Sequence, residues 1–279
     1  MKNKRVIARI DVKNNALVKG IHLEGLRVLG KPEEFAEKYY KDGADEIIYM
    51  DVVASLYERN SLVDLVKTTA KNIFIPLTVG GGIRTLSDVK ELLSAGADKV
   101  CINTAAVRNP ELISKISDVY GSSTVVIAIE AIKTDNCYKV FIDNGREYTG
   151  LDVVEWAKKV EKLGAGEILL TSVDNEGTGK GPDLELINLV KDRISIPLIV
   201  HGGIGTVNDI YDVFINQNID AVCAASIFHY DAIKEMGDID MNLMGNKSFL
   251  ASKNTKQNMD TISITNAKNK LKNMGVKTR

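Results

Sequence analysis

Two carboxylates hold equivalent places in two copies of one pattern: Asp11 closes the run V-I-A-R-I-D, and Glu130 closes V-V-I-A-I-E. Opposed carboxylates whose surroundings pull their pKa values apart can work as general acid and general base. Either residue taken singly is equally a helix cap or an inter-strand ion-pair partner. Each copy also carries a glycine pair, Gly81-Gly82 and Gly202-Gly203, and ends its next apolar run with small groups, Asn103-Thr104 and Ala225-Ser226. Glycine lets backbone N–H groups approach a phosphate, and a following helix N-terminus adds partial positive charge. The duplication therefore predicts two phosphate subsites across one mouth and a substrate phosphorylated at both ends. A single glycine pair would be no more than a tight strand-to-helix turn. Asp51 and Glu176, the latter in D-N-E-G-T-G, are candidates for hydrogen bonds to substrate or plain loop carboxylates; Lys19, in L-V-K-G, is a candidate phosphate contact or a solvated lysine.

The elements that must position these groups are eight short apolar runs: R-V-I-A-R-I-D, E-I-I-Y-M-D, I-P-L-T-V-G, D-K-V-C-I-N, T-V-V-I-A-I-E, E-I-L-L-T-S, I-P-L-I-V-H and D-A-V-C-A-A. Amphipathic stretches such as P-E-E-F-A-E-K-Y-Y-K and L-S-D-V-K-E-L-L-S-A-G lie between most of them. Strands buried on both faces and separated by helices form a parallel sheet, and eight such units close into a barrel. Residues 75–89 align with residues 196–210 with nine of fifteen positions identical. The expected fold is thus an α/β (β/α)8 TIM barrel with an internal half-barrel duplication: one domain over 1–279, with half-barrel repeats over about 4–120 and 121–230. Outside the repeat, residues 13–30 are a long connection suited to a lid, and residues 135–149 read as a hairpin turned at Asp143-Asn144-Gly145. The Asn-, Lys-, Met- and Ser-rich stretch 235–261 reads as an exposed insertion before a final helix, 262–275.

Composition narrows the function classes. A formal charge of -1 predicts no general attraction to nucleic acid or an anionic membrane. The first apolar run is broken by Arg9 and Asp11, so no secretory leader or membrane span is expected, and the chain reads as cytoplasmic. Cys101, Cys137 and Cys223 are too scattered for a disulfide framework or a zinc cluster, and His22, His201 and His229 have no ligand spacing, so no metal is expected. His201 is expected to point at the mouth. G-G-G-I-R lacks the dinucleotide fingerprint, and no cofactor is implied.

In V-K-G, G-A-D-E, I-P-L-T-V-G-G-G-I-R, S-A-G-A-D-K-V, I-N-T-A-A-V-R-N-P, G-A-G-E-I-L-L-T-S and A-A-S-I-F-H the chain resembles the cyclase subunits of imidazole glycerol phosphate synthase. The resemblance covers about residues 4–230 and resumes in the last helix. It implies a glutaminase subunit docked on the N-terminal face as a heterodimer partner, with ammonia passing through the barrel. At the far face ammonia would meet a ribulosyl aminoimidazole-carboxamide bisphosphate, giving imidazole glycerol phosphate and aminoimidazole carboxamide ribotide in histidine biosynthesis. By the same resemblance Asp11 and Glu130 are the catalytic pair, and the phosphate sites map to Gly82, Asn103 and Thr104 and to Gly177, Gly203, Ala225 and Ser226. Thr171 joins the substrate-binding set. Arg5, Glu46, Lys99 and Glu167 match the ammonia gate, and Asp98 matches the contact with the glutaminase.

Four positions depart from that pattern: Glu130 and Glu176 stand where aspartates are usual, and R-I-D, with Arg9 and Ile10, replaces C-L-D at the first catalytic acid. Alternation puts Arg9 inside the barrel with Arg5 and Asp11. A buried arginine needs a partner, and Glu130 or Glu176 is the expected one. An alternative function is a paralogue that conducts ammonia to a sugar amidotransferase in surface-glycan synthesis, with little cyclase activity. A related sugar-phosphate isomerase fits less well, because it would have no use for an ammonia gate.

Overall fold

All eight apolar runs become parallel strands of a closed barrel in the computed structural model, which describes residues 3–54, 62–135, 137–236 and 259–279. In chain order the elements are β1 (Arg5–Lys13), β2 (Ala16–Ile21), β3 (Glu24–Gly30), α1 (Pro32–Lys41), β4 (Glu46–Asp51), α2 (Val63–Thr69), β5 (Leu77–Gly80), α3 (Leu86–Ala95), β6 (Lys99–Ile102), α4 (Thr104–Arg108) and α5 (Glu111–Tyr120). The second half follows with β7 (Val125–Thr134), β8 (Cys137–Ile142), β9 (Glu147–Asp152), α6 (Val153–Lys162), β10 (Glu167–Ser172), α7 (Leu184–Lys191), β11 (Leu198–His201), α8 (Val207–Tyr211), β12 (Ala221–Ala224), α9 (Ser226–Met236) and α10 (Ile264–Asn273). The barrel runs β1-β4-β5-β6-β7-β10-β11-β12 and closes by pairing β12 with β1. β1 and β7 are four strands apart in a ring of eight, so they face each other across the axis.

The duplication is visible in the local chemistry. Thr85 caps α3 in a reciprocal capping box with Asp88, and Thr206 caps α8 in the same way with Asp209. In each box two backbone N–H groups that the helix leaves unpaired find side-chain acceptors. β1 and β7 both overrun the barrel and carry an antiparallel ribbon, β2–β3 on β1 and β8–β9 on β7. The connection expected over 13–30 is therefore a ribbon, entered through Asn14 and Asn15, which hold the positive φ angles that a two-residue hairpin needs. The hairpin expected at Asp143-Asn144-Gly145 is present, with all three residues at positive φ. The final helix is capped by Ser263, whose hydroxyl accepts from Asn266 N–H. Of the expected insertion at 235–261, residues 237–258 lie outside the described residues.

Two apolar regions result from strand alternation. The larger lies between strands and helices, while a smaller one fills the barrel interior: Ile7, Ile48, Cys101, Leu169, Ile199 and Cys223, with neighbours on β7 and β12. Cys101 and Cys223 are buried thiols, as their apolar settings predict.

Gly81 and Gly202 end β5 and β11 with φ of 100° and 101°. A Cβ on Gly81 would lie 2.4 Å from Asp51 O, and one on Gly202 would lie 2.5 Å from Ser172 O. Left-handed backbone and steric conflict act together in both halves. Gly81→Ala and Gly202→Ala should each destabilise the fold by about 1–3 kcal/mol, with similar values for the two, in urea unfolding.

Candidate active site

Side chains on alternate residues of the barrel strands point to one axis, so the interior is stacked in layers. At the N-terminal end, Arg5, Glu46, Lys99 and Glu167 form a closed ring of alternating charge. Arg5 bonds Glu46 at 2.6 Å and Glu167 at 2.8 Å, and Lys99 bonds Glu46 at 3.2 Å and Glu167 at 2.8 Å. Burial opposes ionisation of Glu167, but the Arg5 and Lys99 charges outweigh it and hold its carboxyl below the usual range. Asp98 is exposed beside this ring at the start of β6, where Oδ2 accepts from Leu77 N–H at 2.8 Å.

Above the ring lies the apolar layer, and above that Arg9, only 2% exposed. Its Nε donates to Asp11 Oδ1 at 2.8 Å, and its Nη1 lies 3.3 Å from His201 Nδ1. The expectation that Arg9 pairs with Glu130 or Glu176 is corrected here. Residues two apart on a strand share a face, so Asp11 is the nearest acid, and the two glutamates are bound elsewhere. His201 does face the mouth interior. Burial, with the Arg9 and Lys19 charges, holds its pKa far below the ordinary value, so the ring is neutral. Because arginine only donates, Nδ1 must accept, which assigns the proton to Nε2. Thr171 Oγ1 lies 3.3 Å from the same Nδ1.

Glu130 sits opposite Asp11 on β7. Its Oε2 accepts from Gly145 N–H at 2.8 Å, so the β8–β9 turn holds this acid in place. Burial pushes its pKa up to about 7, against the lowering effects of Arg9, Gly145 and Asn103, with a further push from Asp11. A group that titrates near neutrality can serve as acid or base there.

The structure gathers the two sets of phosphate candidates into two cavities. Gly82, Asn103 and Thr104 line the first, a cavity of about 240 Å³ that Asp51, Glu130 and Arg108 also border. Gly177, Gly203, Ala225 and Ser226 line the second with Lys19, Glu176 and His201, but it holds only about 10 Å³. That is roughly room for one water molecule. The second cavity is shut by a buried ion pair between Lys19 and Glu176, and the other oxygen of Glu176 accepts from Leu23 N–H at 2.9 Å. Lys19 is therefore a buried, paired group rather than a solvated lysine. Asp51 accepts from Val53 N–H at 3.0 Å at the end of β4.

Sequence reasoning missed the residues that hold the mouth together. Arg108 bonds Asp143 and Glu147, each at 2.8 Å, and Thr104 Oγ1 accepts from Asp143 N–H at 3.1 Å. The D-N-G turn was legible, but its contact with Glu130 depends on how the ribbon folds back. The raised pKa of Glu130 has a consequence for stability. Below about 4.5 the acid is neutral in both folded and unfolded chains; as pH rises towards about 7, only the unfolded chain ionises readily, and the contribution to stability is lost. Glu130→Gln should therefore lose less stability than the parent between these pH values, by up to roughly 3 kcal/mol, in melting curves recorded across the range.

The chain matches the family model described as histidine biosynthesis protein over residues 5–234. It is 60% identical over 210 residues to the imidazole glycerol phosphate synthase subunit HisF of Legionella pneumophila, covering 75% of this chain and 99% of that protein. The proteins of the same name from Natranaerobius thermophilus and Lactococcus lactis subsp. cremoris are each 48% identical, over 230 and 242 residues. They cover 82% and 84% of this chain and 92% and 93% of their own lengths. With a family match that takes in both half-barrels and every residue of the layered interior, the chain belongs to the histidine biosynthesis protein family.

Proposed function

We propose that this chain is the ammonia-dependent cyclase subunit of imidazole glycerol phosphate synthase. The observation that carries the reading is the single axis of the barrel, which runs from the ring of Arg5, Glu46, Lys99 and Glu167 to the facing acids Asp11 and Glu130. Ammonia would enter at the ring from a glutaminase partner docked on the N-terminal face, with Asp98 on the contact surface. The apolar layer above admits a neutral molecule and opposes ammonium, because an unpaired charge there would lose its hydration. The three relatives compared are all named imidazole glycerol phosphate synthase subunit HisF, which favours this reading over an ammonia-conducting partner of a sugar amidotransferase. No helix among the described residues is long and apolar enough to cross a membrane, in keeping with a cytoplasmic enzyme.

At the mouth, Asp11 and Glu130 divide the proton transfers of ring closure and bond cleavage. Asp11, ion-paired with Arg9, acts as the base; Glu130, held near neutrality, gives up or receives the second proton. One substrate phosphate occupies the open cavity at Gly82, Asn103 and Thr104. The other enters at Gly177, Gly203, Ala225 and Ser226 by drawing Lys19 from Glu176, since a phosphate dianion competes with a carboxylate for an ammonium group. Asp51 borders the first cavity, and Thr171 lies beside His201, which lines the second.

The test is turnover of the ribulosyl bisphosphate by the purified chain with ammonium salt, followed by absorbance. The parent should turn over, while Asp11→Asn and Glu130→Gln should each lower kcat by about 10²–10⁴-fold. Absence of turnover in the parent, with or without substrate binding, would move the assignment to the ammonia-conducting role.

A further inference from the structure

Arg9 is the feature that the reaction as described above leaves least explained. Its guanidinium lies between the apolar layer of Ile7, Leu169 and Cys223 and the two mouth acids, 2% exposed, and among the described residues Asp11 is its one ion-pair partner. A buried cation with a single partner is a poor source of stability, because the loss of hydration offsets most of the attraction. Its value must be sought in what it holds. We propose that Arg9 is the positioning residue of the active site: it fixes Asp11 through one oxygen, is itself steadied by neutral His201, and places its charge where it acts on Glu130 across the barrel. The proposal deepens the cyclase reading and rests on it for its kinetic part.

Hydrogen-bond geometry supports the links to Asp11 and His201, and the field of Arg9 reaches Glu130. With Nε bonded to Asp11 Oδ1 at 2.8 Å, the carboxylate cannot rotate without breaking a charge-assisted bond, which leaves Oδ2 to take a proton from substrate. Nη1 reaches Nδ1 of His201 on β11, so the planar fork is held at two points and cannot swing about the end of its stem. His201 can accept only while it is neutral, and its burial between Arg9 and Lys19 keeps it so. The titratable and charged groups that feel Arg9 come from strands all around the ring: Asp11 on β1, Cys101 on β6, Glu130 on β7, Glu176 after β10, His201 on β11 and Cys223 on β12. Its bonds to Asp11 on β1 and His201 on β11 hold the cation inside the barrel. For Glu130, Arg9 is the foremost of the influences that oppose burial, ahead of Gly145 and Asn103, while Asp11 acts in the other direction.

Lysine at this position would keep the charge but lose the fork; methionine would lose both. The experiment therefore compares Arg9→Lys and Arg9→Met in two readouts. The first is the titration of the Glu130 carboxyl by ¹³C NMR in glutamate-labelled protein, assigned by its absence in Glu130→Gln. The midpoint should lie near 7 in the parent, rise by about one unit or more in Arg9→Met and lie between the two in Arg9→Lys. The second is ammonium-driven turnover. Here kcat should fall roughly tenfold or more in Arg9→Met, with KM for the bisphosphate changed by less than about threefold, and Arg9→Lys should recover part of the loss. Should Arg9→Met fail to fold, the double variant Arg9→Met/Asp11→Asn removes both charges together and should still titrate above the parent, because Arg9 outweighs Asp11 in its effect on Glu130. An unchanged Glu130 midpoint in a folded variant lacking the cation overturns the proposal, as does unchanged kcat. A parent without turnover overturns the cyclase reading instead, and the titration then decides the role of Arg9 alone.

Discussion

Every second residue of eight strands points at one axis, and whatever charge it carries must be neutralised there, away from water. Most of the molecule's chemistry follows from how that constraint is met. At the N-terminal end the four charges of Arg5, Glu46, Lys99 and Glu167 cancel in a ring in which each touches two of the opposite sign. Near the mouth Arg9 is met by Asp11, and Lys19 by Glu176. Glu130 is the acid left over. It has neutral donors in Gly145 N–H and Asn103 and feels the field of Arg9 without an ion pair, so burial prevails and its carboxyl titrates near neutrality. A perturbed acid arises at this position because its neighbours have already paired among themselves.

Duplication supplies the symmetry, and a few side chains break it. Both halves have a capping box, a strand-end glycine at a φ near 100° and an overrunning strand that carries a ribbon. Yet the cavity over Gly82, Asn103 and Thr104 stands open while its counterpart is almost filled. The cause lies in the ribbon of the first half, which delivers Lys19 to Glu176 in the second, whereas the ribbon of the second half delivers only a backbone N–H to Glu130. An ion pair occupies the volume that a backbone contact leaves free.

What the residues disclosed in advance follows the same division between local and distant causes. The strands, the Asp143-Asn144-Gly145 turn and the half-barrel alignment are set by neighbours in sequence, and each was legible. The ring charges were named through the family resemblance, and alternation fixed the direction of Arg5 among them. The partner of Arg9 could not be read by comparing acids of suitable length, since the deciding factor was distance along one strand. Nor could the closed second cavity, because Lys19 and Glu176 are 157 residues apart and meet only when the first ribbon folds across the mouth.

Glu130 and Glu176, the two glutamates where the resemblance leads one to expect aspartates, share one consequence. Glu176 reaches out of the barrel to Lys19 and Leu23 on the β2–β3 ribbon, and Glu130 reaches Gly145 in the turn of the β8–β9 ribbon. Asn144 completes the link by donating to Leu23 O at 2.8 Å, so the two ribbons are joined to each other as well as to the acids beneath them. An extra methylene at each position thus couples the electrostatics of the mouth to the segments that cover it. Any anion that draws Lys19 away from Glu176 leaves that acid buried without its cation, and the ribbon that supplied the lysine must move with it. Release of Lys19 and movement of the ribbon are in this way coupled at the second cavity, while the first, lacking such a pair, stands open.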